Sequence, residues 1–375
     1  TSNTFLLTVS NPENCVSELA FSTNTEFTQT GTNPSAIAIG DFNMDGMQDV
    51  IVANEESTFI SLKFGNGTDG YIGETTIPVT LNTTNVDLSD FNGDGHLDIA
   101  ALNINDNDLY TLLGNGDGTF QSAMVSSVAL SPSALAIGDF NNDGNSDIAV
   151  TSSVNSSVSV LLGNGTGNFI ASPEVLVGSL PRHIALVNFN EDAFLDMAVA
   201  NYGDNTVSIR LGNGDGSFSG TTDIPVGQGP NNLVMGDFNQ DGKQDFATAN
   251  IISSTLSIAL GDGLGGTISV AEINTTDSPE MIKVGEFNGD GIQDLVTSSN
   301  LLTTDNLLKV YSGNGTGGFT ETSSKNLCCE LSSFAIGNFN NDGFADVAFA
   351  TQTNSKVELL FGAGALISVT GNGND

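Results

Sequence analysis

Apolar and polar residues alternate along short runs of this chain, and turn-forming residues separate the runs. One set of such runs covers residues 133–140, 147–151, 156–162 and 169–177. Alternation with a period of two predicts β-strands that bury one side. No long stretch has apolar residues at helical spacing, so we expect an all-β chain built from groups of four short strands.

A nine-residue acidic loop follows the first strand of each group. It reads Asp-Phe-Asn-Met-Asp-Gly-Met-Gln-Asp at 41–49 and begins again at residues 90, 139, 188, 237, 286 and 338. The step is 49 residues five times and 52 residues once. A period of about 40 to 50 residues is typical of propeller blades and stacked repeats. Four antiparallel strands in each of seven repeats predict a seven-bladed β-propeller of four-stranded blades. A parallel β-helix is the alternative, but its repeats are usually shorter and it has no reason to stop at seven.

A Gly-x-Gly turn repeats with the same period. Its first glycine lies 16 residues after the last Asp of each loop, or 19 residues after it in the sixth repeat. Three extra residues therefore lie within 298–305, which indicates a local insertion and not a domain boundary. The turns begin at Gly65, Gly114, Gly163, Gly212, Gly261, Gly313 and Gly362.

The two ends of the chain suggest how the ring closes. Residues 19–30 align with the fourth strands of other repeats, whereas the seventh repeat lacks a fourth strand. We predict that 19–30 completes the last blade, which removes a free sheet edge. The predicted propeller thus spans 19–364, between a strand extension at 1–18 and a strand and tail at 365–375. Residues 4–9 and 365–370 are strand-like and unused, so they either fold back on the propeller or are donated to a neighbouring molecule.

The acidic loops have the ligand pattern of calcium sites. Oxygen-bearing side chains occupy positions 1, 3, 5 and 9, glycine occupies position 6, and the varied position 7 is suited to a backbone carbonyl ligand. The loop is not an EF-hand, because position 12 holds no Glu and strands flank it. Simple hairpin turns would not require the same pattern seven times, and magnesium demands stricter geometry. The candidate ligands are Asp41, Asn43, Asp45, Met47, Asp49, Asp90, Asn92, Asp94, His96, Asp98, Asp139, Asn141, Asp143, Asn145, Asp147, Asn190, Asp192, Asp196, Asp237, Asn239, Asp241, Lys243, Asp245, Glu286, Asn288, Asp290, Ile292, Asp294, Asn338, Asn340, Asp342, Phe344 and Asp346.

The seven loops are not equivalent, so we expect up to seven calcium ions bound with different strengths. The loops at 41, 90, 139 and 237 are complete, the loop at 286 begins with Glu, and the loop at 338 begins with neutral Asn. The loop at 188–196 also begins with Asn and has Ala193 in place of glycine, so we expect it to bind most weakly. Position 2 is Phe in all seven loops, and we expect it to anchor each loop between blades.

The chain is strongly acidic. It has 44 acidic and 8 basic residues, a net charge of −36. Such a surface argues against nucleic acid and anionic membranes, which are bound through Lys and Arg. Seven calcium ions would reduce the charge to about −22. No apolar run reaches 18 residues, so we expect no membrane insertion.

Several features favour a secreted, glycosylated protein. The chain begins at Thr1 without Met, from which we expect processing. Six glycosylation sequons occur, and three of them lie in Gly-Asn-Gly-Thr turns. The cysteines are too few for a disulfide scaffold and odd in number. The sequons are Asn66, Asn82, Asn155, Asn164, Asn274 and Asn314, and the disulfide candidates are Cys15, Cys328 and Cys329.

The motif Asp-Phe-Asn-x-Asp-Gly-x-x-Asp, followed by Leu-Gly-Asn-Gly-Asp-Gly-Thr-Phe at 113–120, resembles the FG-GAP or VCBS repeat. This repeat builds the seven-bladed propeller of integrin α subunits and of related fungal lectins. The resemblance covers about residues 19–364 and implies calcium loops on one face, an extracellular setting, and a role in adhesion or glycan binding. The chain departs from the pattern in the loop at 188 and in the shortened turn at 362–364.

Three functions are compatible with this sequence. Catalysis is poorly supported, because neither of the two histidines, His96 and His183, stands in a nucleophile-and-base grouping. We expect a non-catalytic extracellular module with a structural or adhesion role. It binds either itself, head to tail or in another arrangement, or another extracellular protein. If the terminal strands are donated from one molecule to the next, self-association gives filaments. A lectin with glycan sites between blades is the alternative, although the chain has no Trp and only four Tyr. A fragment of a receptor similar to an integrin head is the third.

Overall fold

The computed structural model describes residues 21–26, 30–67, 71–299, 307–327, 331–340, 345–352 and 355–362. These residues form β-strands and turns. No helix among them is long and apolar enough to cross a membrane.

The strands form seven antiparallel sheets, here called blades 1 to 7. Blade 1 contains β2 (Pro34–Gly40), β3 (Asp49–Asn54), β4 (Phe59–Gly65) and β5 (Tyr71–Pro78), and blade 2 contains β6 (Thr83–Ser89), β7 (Asp98–Asn103), β8 (Asp108–Leu112) and β9 (Met124–Ser127). Blade 3 contains β10 (Pro132–Gly138), β11 (Asp147–Ser152), β12 (Ser157–Gly163), β13 (Phe169–Ala171) and β14 (Val175–Leu176), and blade 4 contains β15 (Pro181–Val187), β16 (Asp196–Asn201), β17 (Thr206–Gly212) and β18 (Phe218–Pro225). Blade 5 contains β19 (Pro230–Gly236), β20 (Asp245–Asn250), β21 (Thr255–Gly261) and β22 (Thr267–Asn274), and blade 6 contains β23 (Pro279–Gly285), β24 (Asp294–Ser299), β25 (Leu307–Gly313) and β26 (Phe319–Asn326). Blade 7 contains β27 (Leu331–Gly337), β28 (Asp346–Thr351), β29 (Lys356–Gly362) and β1 (Phe21–Glu26).

This arrangement confirms the predicted all-β propeller of seven four-stranded blades. In blade 3 the predicted fourth strand, 169–177, is divided into β13 and β14, and both pair with β12. In blade 7 the fourth place is taken by β1, which pairs antiparallel with β29. That this pairing holds the ring shut stays a prediction, and the strand-like segments at 4–9 and 365–370 lie outside the described residues.

The hydrophobic core consists of layers between neighbouring blades. Every residue of each second strand is buried. In β3, Ile51 packs toward blade 2, whereas Val50 and Val52 pack against blade 7. Successive residues point to opposite sides of a sheet, so a strand covered on both sides buries every side chain; the middle of β3 is apolar, whereas its ends, Asp49 and Asn54, are buried polar residues. The outermost strands, such as β22, are largely exposed on their solvent side.

Among the described residues, aromatic ring pairs connect six of the acidic loops to the next blade, and the Phe at position 2 supplies one ring of each pair, as we predicted. All seven of these Phe side chains are 8% exposed or less. In loop 139, the ring of Phe140 meets the ring of Phe218 in the next blade edge-on, with 5.5 Å between centroids. Equivalent pairs are Phe42 with Phe120, Phe91 with Phe169, Phe238 with Phe319, and Phe339 with Tyr71. Phe189 instead meets Phe246 of β20, because the position equivalent to Phe218 holds Thr267.

Candidate metal-binding loops

The acidic loops join the first strand to the second strand of each blade, and the Gly-x-Gly turns join the third strand to the fourth. In an antiparallel sheet these two connections lie at the same end. The loops and turns of all blades therefore lie together at one face of the ring. The loop at 139–147 shows the arrangement.

The side chains at positions 1, 3 and 5 of this loop share one hydrogen-bond network. The main-chain N–H of Asp143 donates to Asp139 Oδ1 at 3.2 Å and to Asn141 Oδ1 at 3.0 Å. Gly144 N–H donates to Asp139 Oδ2 at 2.9 Å, and Asn145 N–H donates to Asp143 Oδ1 at 2.8 Å. The Asn141 amide donates to Asp143 Oδ2 at 3.0 Å. Three oxygen-bearing side chains thus face the same turn of backbone.

Glycine at position 6 allows this turn, because its φ is positive. The φ angles are between 76° and 86° in the five described loops that have this glycine, at Gly46, Gly95, Gly144, Gly242 and Gly291. Position 4 is also left-handed, and in four loops it is not glycine: Met44, Asn142, Glu191 and Gln240 have φ of 55° to 59°. Such backbone strain costs on the order of 1 kcal/mol per residue and concentrates at ligand clamps.

The Asp at position 9 differs from the other acidic residues because it is buried. Asp147 is 0% exposed, and its Oδ2 accepts a hydrogen bond from Phe140 N–H at 2.7 Å. Its Oδ1 accepts a second hydrogen bond from Gly163 N–H, also at 2.7 Å. Burial raises the pKa of this carboxyl group, and in the first loop it raises the pKa of Asp49 to about 6. Position 9 therefore connects the acidic loop to the Gly-x-Gly turn of its own blade.

This hydrogen bond explains the spacing between the last Asp of each loop and the first glycine of the Gly-x-Gly turn. The 16 residues between the last loop Asp and the glycine, and the 19 residues in blade 6, separate the two partners of one hydrogen bond. The glycine is needed because a Cβ at Gly163 would lie 2.2 Å from the carbonyl oxygen of Ser146. Equivalent contacts of 2.0 to 2.3 Å recur at Gly65, Gly114, Gly212, Gly261 and Gly313.

Repeats of this kind are matched by a known family. The sequence profile of the FG-GAP-like repeat matches residues 41–101, 90–150, 188–248, 237–297 and 286–349. The chain belongs to the FG-GAP-like repeat family. No curated protein sequence matches it.

Solved structures share the fold of this FG-GAP propeller at low identity. BBS1N, solved in complex with ARL6DN, is 12% identical, with a TM-score of 0.66 over 92% of this chain and 97% of that one. An Agrocybe aegerita lectin, described as recognising non-reducing terminal N-acetylglucosamine, is 17% identical, with a TM-score of 0.56 over 79% and 80%. A protein from Lactobacillus plantarum is 13% identical, with a TM-score of 0.57 over 87% and 91%.

Two FG-GAP loops depart from the common geometry. In the loop at 188, the side-chain amide of Asn188 donates to the carbonyl oxygen of Asp192, and its Oδ1 is buried without a hydrogen-bond partner. Ala193 has no left-handed φ. In the loop at 286, the longer Glu286 reaches Gly291 N–H only at 3.4 Å. Residues 342 and 344 of the last loop lie outside the described residues.

The side chains of the complete loops fit a hard cation in their chemistry. Their donors are carboxylate, amide and carbonyl oxygens, which calcium prefers. An ionised carboxylate offers about four lone-pair sites, so the two hydrogen bonds that Asp139 accepts and the three that Asp143 accepts leave capacity for a cation, whereas Asp90 already accepts four. Across the residues the structure describes, no three His, Cys, Asp or Glu side chains are grouped as a metal site. Each complete loop instead presents a partly buried carboxylate at position 1 and an exposed carboxylate at position 5 with an Asn between them, while the carboxylate at position 9 is buried. The ligand roles of the loop residues stay predictions.

The other predicted sites are partly covered by the structure. Asn155, Asn164, Asn274 and Asn314 are exposed, and Asn66 and Asn82 are partly exposed. Cys15, Cys328 and Cys329 lie outside the described residues.

Proposed function

We propose that this protein is a non-catalytic, calcium-stabilised propeller that acts outside the cell as a structural or adhesion module. The observation that carries the proposal is the repeated loop network, in which side chains such as Asp139, Asn141 and Asp143 share one turn of backbone. Calcium bound there would neutralise carboxylates and hold each loop in its strained conformation. A ring made rigid in this way is suited to presenting a binding surface.

Calcium is tested by thermal unfolding in calcium and in EGTA, compared between matched loops. A site filled at 100 times its dissociation constant stabilises the fold by about 2.7 kcal/mol. We expect Asp143→Asn, in a complete loop, to lose more of the calcium-dependent stability than Asp192→Asn, in the loop at 188. Equal melting temperatures in calcium and EGTA for the unmodified chain would contradict the calcium proposal.

The non-catalytic part of the proposal is supported by the environment of the histidines. Burial lowers the pKa of His183 to about 3, which leaves it a very weak base near neutral pH. His96 occupies loop position 7, where the repeats hold unrelated side chains.

Self-association through the terminal strands is the mode of action that we favour. This mode of association is supported by the sequence alone, since residues 1–20 and 363–375 lie outside the described part of the chain. Head-to-tail donation that does not close gives filaments. Negative-stain microscopy and light scattering in calcium should show oligomers, and deleting residues 1–12 should yield folded monomers. Assembly that is unchanged by the deletion would rule out donation by this strand.

A lectin is the second candidate, and two related clefts between blades favour it. One cleft of about 500 Å³ is lined by residues of blades 1 and 2, including Ile77, Pro78 and Phe120. A second cleft of about 280 Å³, between blades 3 and 4, includes Val175 and Phe218. Ile77 and Phe120 lie two repeat periods before Val175 and Phe218, so the clefts are equivalent. A glycan array that includes terminal N-acetylglucosamine tests this candidate, and absence of binding would exclude it.

A further inference from the structure

The centre of the ring contains a cavity of about 720 Å³. The first strand of every blade contributes to its wall, and this volume is in the range of about 300 to 1,000 Å³ typical of small-molecule sites. Because these strands are equivalent in the repeat, residues in the same register form a ring at one level of the cavity. Each level can therefore be compared across the blades.

One level contains two charges of opposite sign and otherwise only small apolar residues. Asp87 lies on β6 in blade 2, and Lys283 lies on β23 in blade 6. These blades are three steps apart in one direction and four in the other, so the two residues stand on nearly opposite walls. The other five blades place Ala38, Ala136, Ala185, Val234 and Ala335 at this level. The fold itself therefore does not require a charge here.

The two charges interact without touching. Asp87 Oδ1 accepts a hydrogen bond from Leu88 N–H at 2.9 Å, and in the described part of the chain Asp87 and Lys283 form no ion pair. Burial raises the pKa of Asp87 and lowers the pKa of Lys283, and the attraction between the two groups offsets part of each shift. Both side chains are partly exposed to the cavity, and charges that lose part of their hydration without a direct partner carry a cost to the fold. A ligand that touches both would remove that cost.

A second level of the cavity offers neutral hydrogen-bonding groups. Asn85, His183 and Asn232 lie two residues earlier on their strands, roughly 7 Å along the axis. The Nδ1 atom of His183 is buried without a hydrogen-bond partner, and so is the Oγ1 atom of Thr84. Because buried polar groups are nearly always hydrogen-bonded in proteins, two such groups beside one cavity point to a missing partner.

We propose that the central cavity binds a small zwitterion, with a carboxylate on Lys283 and an ammonium group on Asp87. Free amino acids and dipeptides have this chemistry, and the polar level above the charges would receive the remainder of the molecule. The site is independent of the acidic loops and of any surface that the propeller uses for adhesion.

Isothermal titration calorimetry on the full chain tests the proposal. The probes are the twenty common L-amino acids, glycylglycine and further dipeptides, so that the two sources of zwitterion are distinguished. Each ligand that binds is then compared with its N-acetyl derivative, which lacks the ammonium group, and with its amide, which lacks the carboxylate. We expect each derivative to bind about tenfold to a hundredfold more weakly, since each loses one charge-assisted hydrogen bond.

Variants of the chain separate binding from folding. Asp87→Asn and Lys283→Met should weaken binding by the same factor without lowering the melting temperature, whereas Glu56→Gln, on the exposed surface, should leave binding unchanged. Combining Asp87→Lys with Lys283→Asp should restore binding that Asp87→Lys alone abolishes, because both residues stand at one level. If no probe binds at millimolar concentration, or if binding ignores these substitutions, the proposal is wrong.

Discussion

The buried Asp147 should hold its loop to the blade even without calcium, and Asp147→Asn tests this. Its carboxylate accepts main-chain hydrogen bonds from Phe140 and Gly163, both at 2.7 Å. An amide keeps one acceptor oxygen and turns an NH₂ group toward the second buried N–H. The substitution therefore removes one hydrogen bond and leaves one main-chain donor unpaired.

The expected loss follows from these contacts. A hydrogen bond to a charged acceptor contributes about 1.5 to 3 kcal/mol. Burial raises the pKa of Asp147, so the ionised carboxylate carries a desolvation cost that the neutral amide avoids. We therefore expect Asp147→Asn to lower the free energy of unfolding by about 1.5 to 2.5 kcal/mol, which is the lower part of the range for a hydrogen bond to a charged acceptor. Asp147→Ala leaves both donors unpaired and should cost about twice as much.

Urea unfolding in EGTA and in excess calcium measures the effect. The matched control is Asp143→Asn, four residues earlier in the same loop but exposed. In EGTA, we expect Asp147→Asn to be destabilised and Asp143→Asn to be close to the unmodified chain. In calcium, both should lose stability. If Asp147→Asn is as stable as the unmodified chain in EGTA, the two buried hydrogen bonds do not hold the loop and our reasoning is refuted.

Four further outcomes are expected. Phe140→Ala should lower the free energy of unfolding by about 3 to 5 kcal/mol, because it removes a buried ring and its contact with the next blade, and urea unfolding would show this. Gly163→Ala should destabilise the chain, because its Cβ would meet the carbonyl oxygen of Ser146, and an unchanged melting temperature would contradict the assigned contact. Without calcium, the free energy of unfolding should fall as the pH rises from 3.8 to about 6. Burial raises the pKa of Asp49, so over this interval the folded state keeps a proton that the unfolded state releases, and a urea midpoint that rises with pH would contradict this. Deleting residues 1–30 should lower the melting temperature, because β29 loses the strand it pairs with, and a deletion variant that melts like the full chain would count against ring closure by β1.

Most of the fold could be predicted from the sequence because the repeat makes it redundant. Seven copies of one loop and one turn fixed the strand count, and the Phe at position 2 was recognised as an inter-blade anchor from its recurrence. The division of the fourth strand in blade 3 was not predicted. The signal was present, because Pro173 has no N–H to donate to the ladder and lies between β13 and β14, but the apolar residues on either side of it were read as one strand.

The candidate sites were less predictable. The pattern of oxygen side chains indicated metal loops, but it did not distinguish the buried Asp147 from the exposed Asp143. That difference depends on an N–H group 16 residues away, which the fold brings to the carboxylate. The charges of the central cavity were missed for a similar reason. Asp87 and Lys283 are 196 residues apart in the sequence, and only the ring places them at one level.

The contacts between blades have a consequence for how such a chain can change in length. Phe140 joins blade 3 to blade 4 through its ring, and its carbonyl oxygen accepts a hydrogen bond from Gly216 N–H at 3.0 Å. Each 49-residue period therefore supplies half of the joint before it and half of the joint after it. A tandem duplication or deletion of one whole period in the gene would leave each blade with half of a joint on both of its sides. The number of blades then depends on whether the ring can close between the first and the last blade, where Tyr71 contacts Phe339.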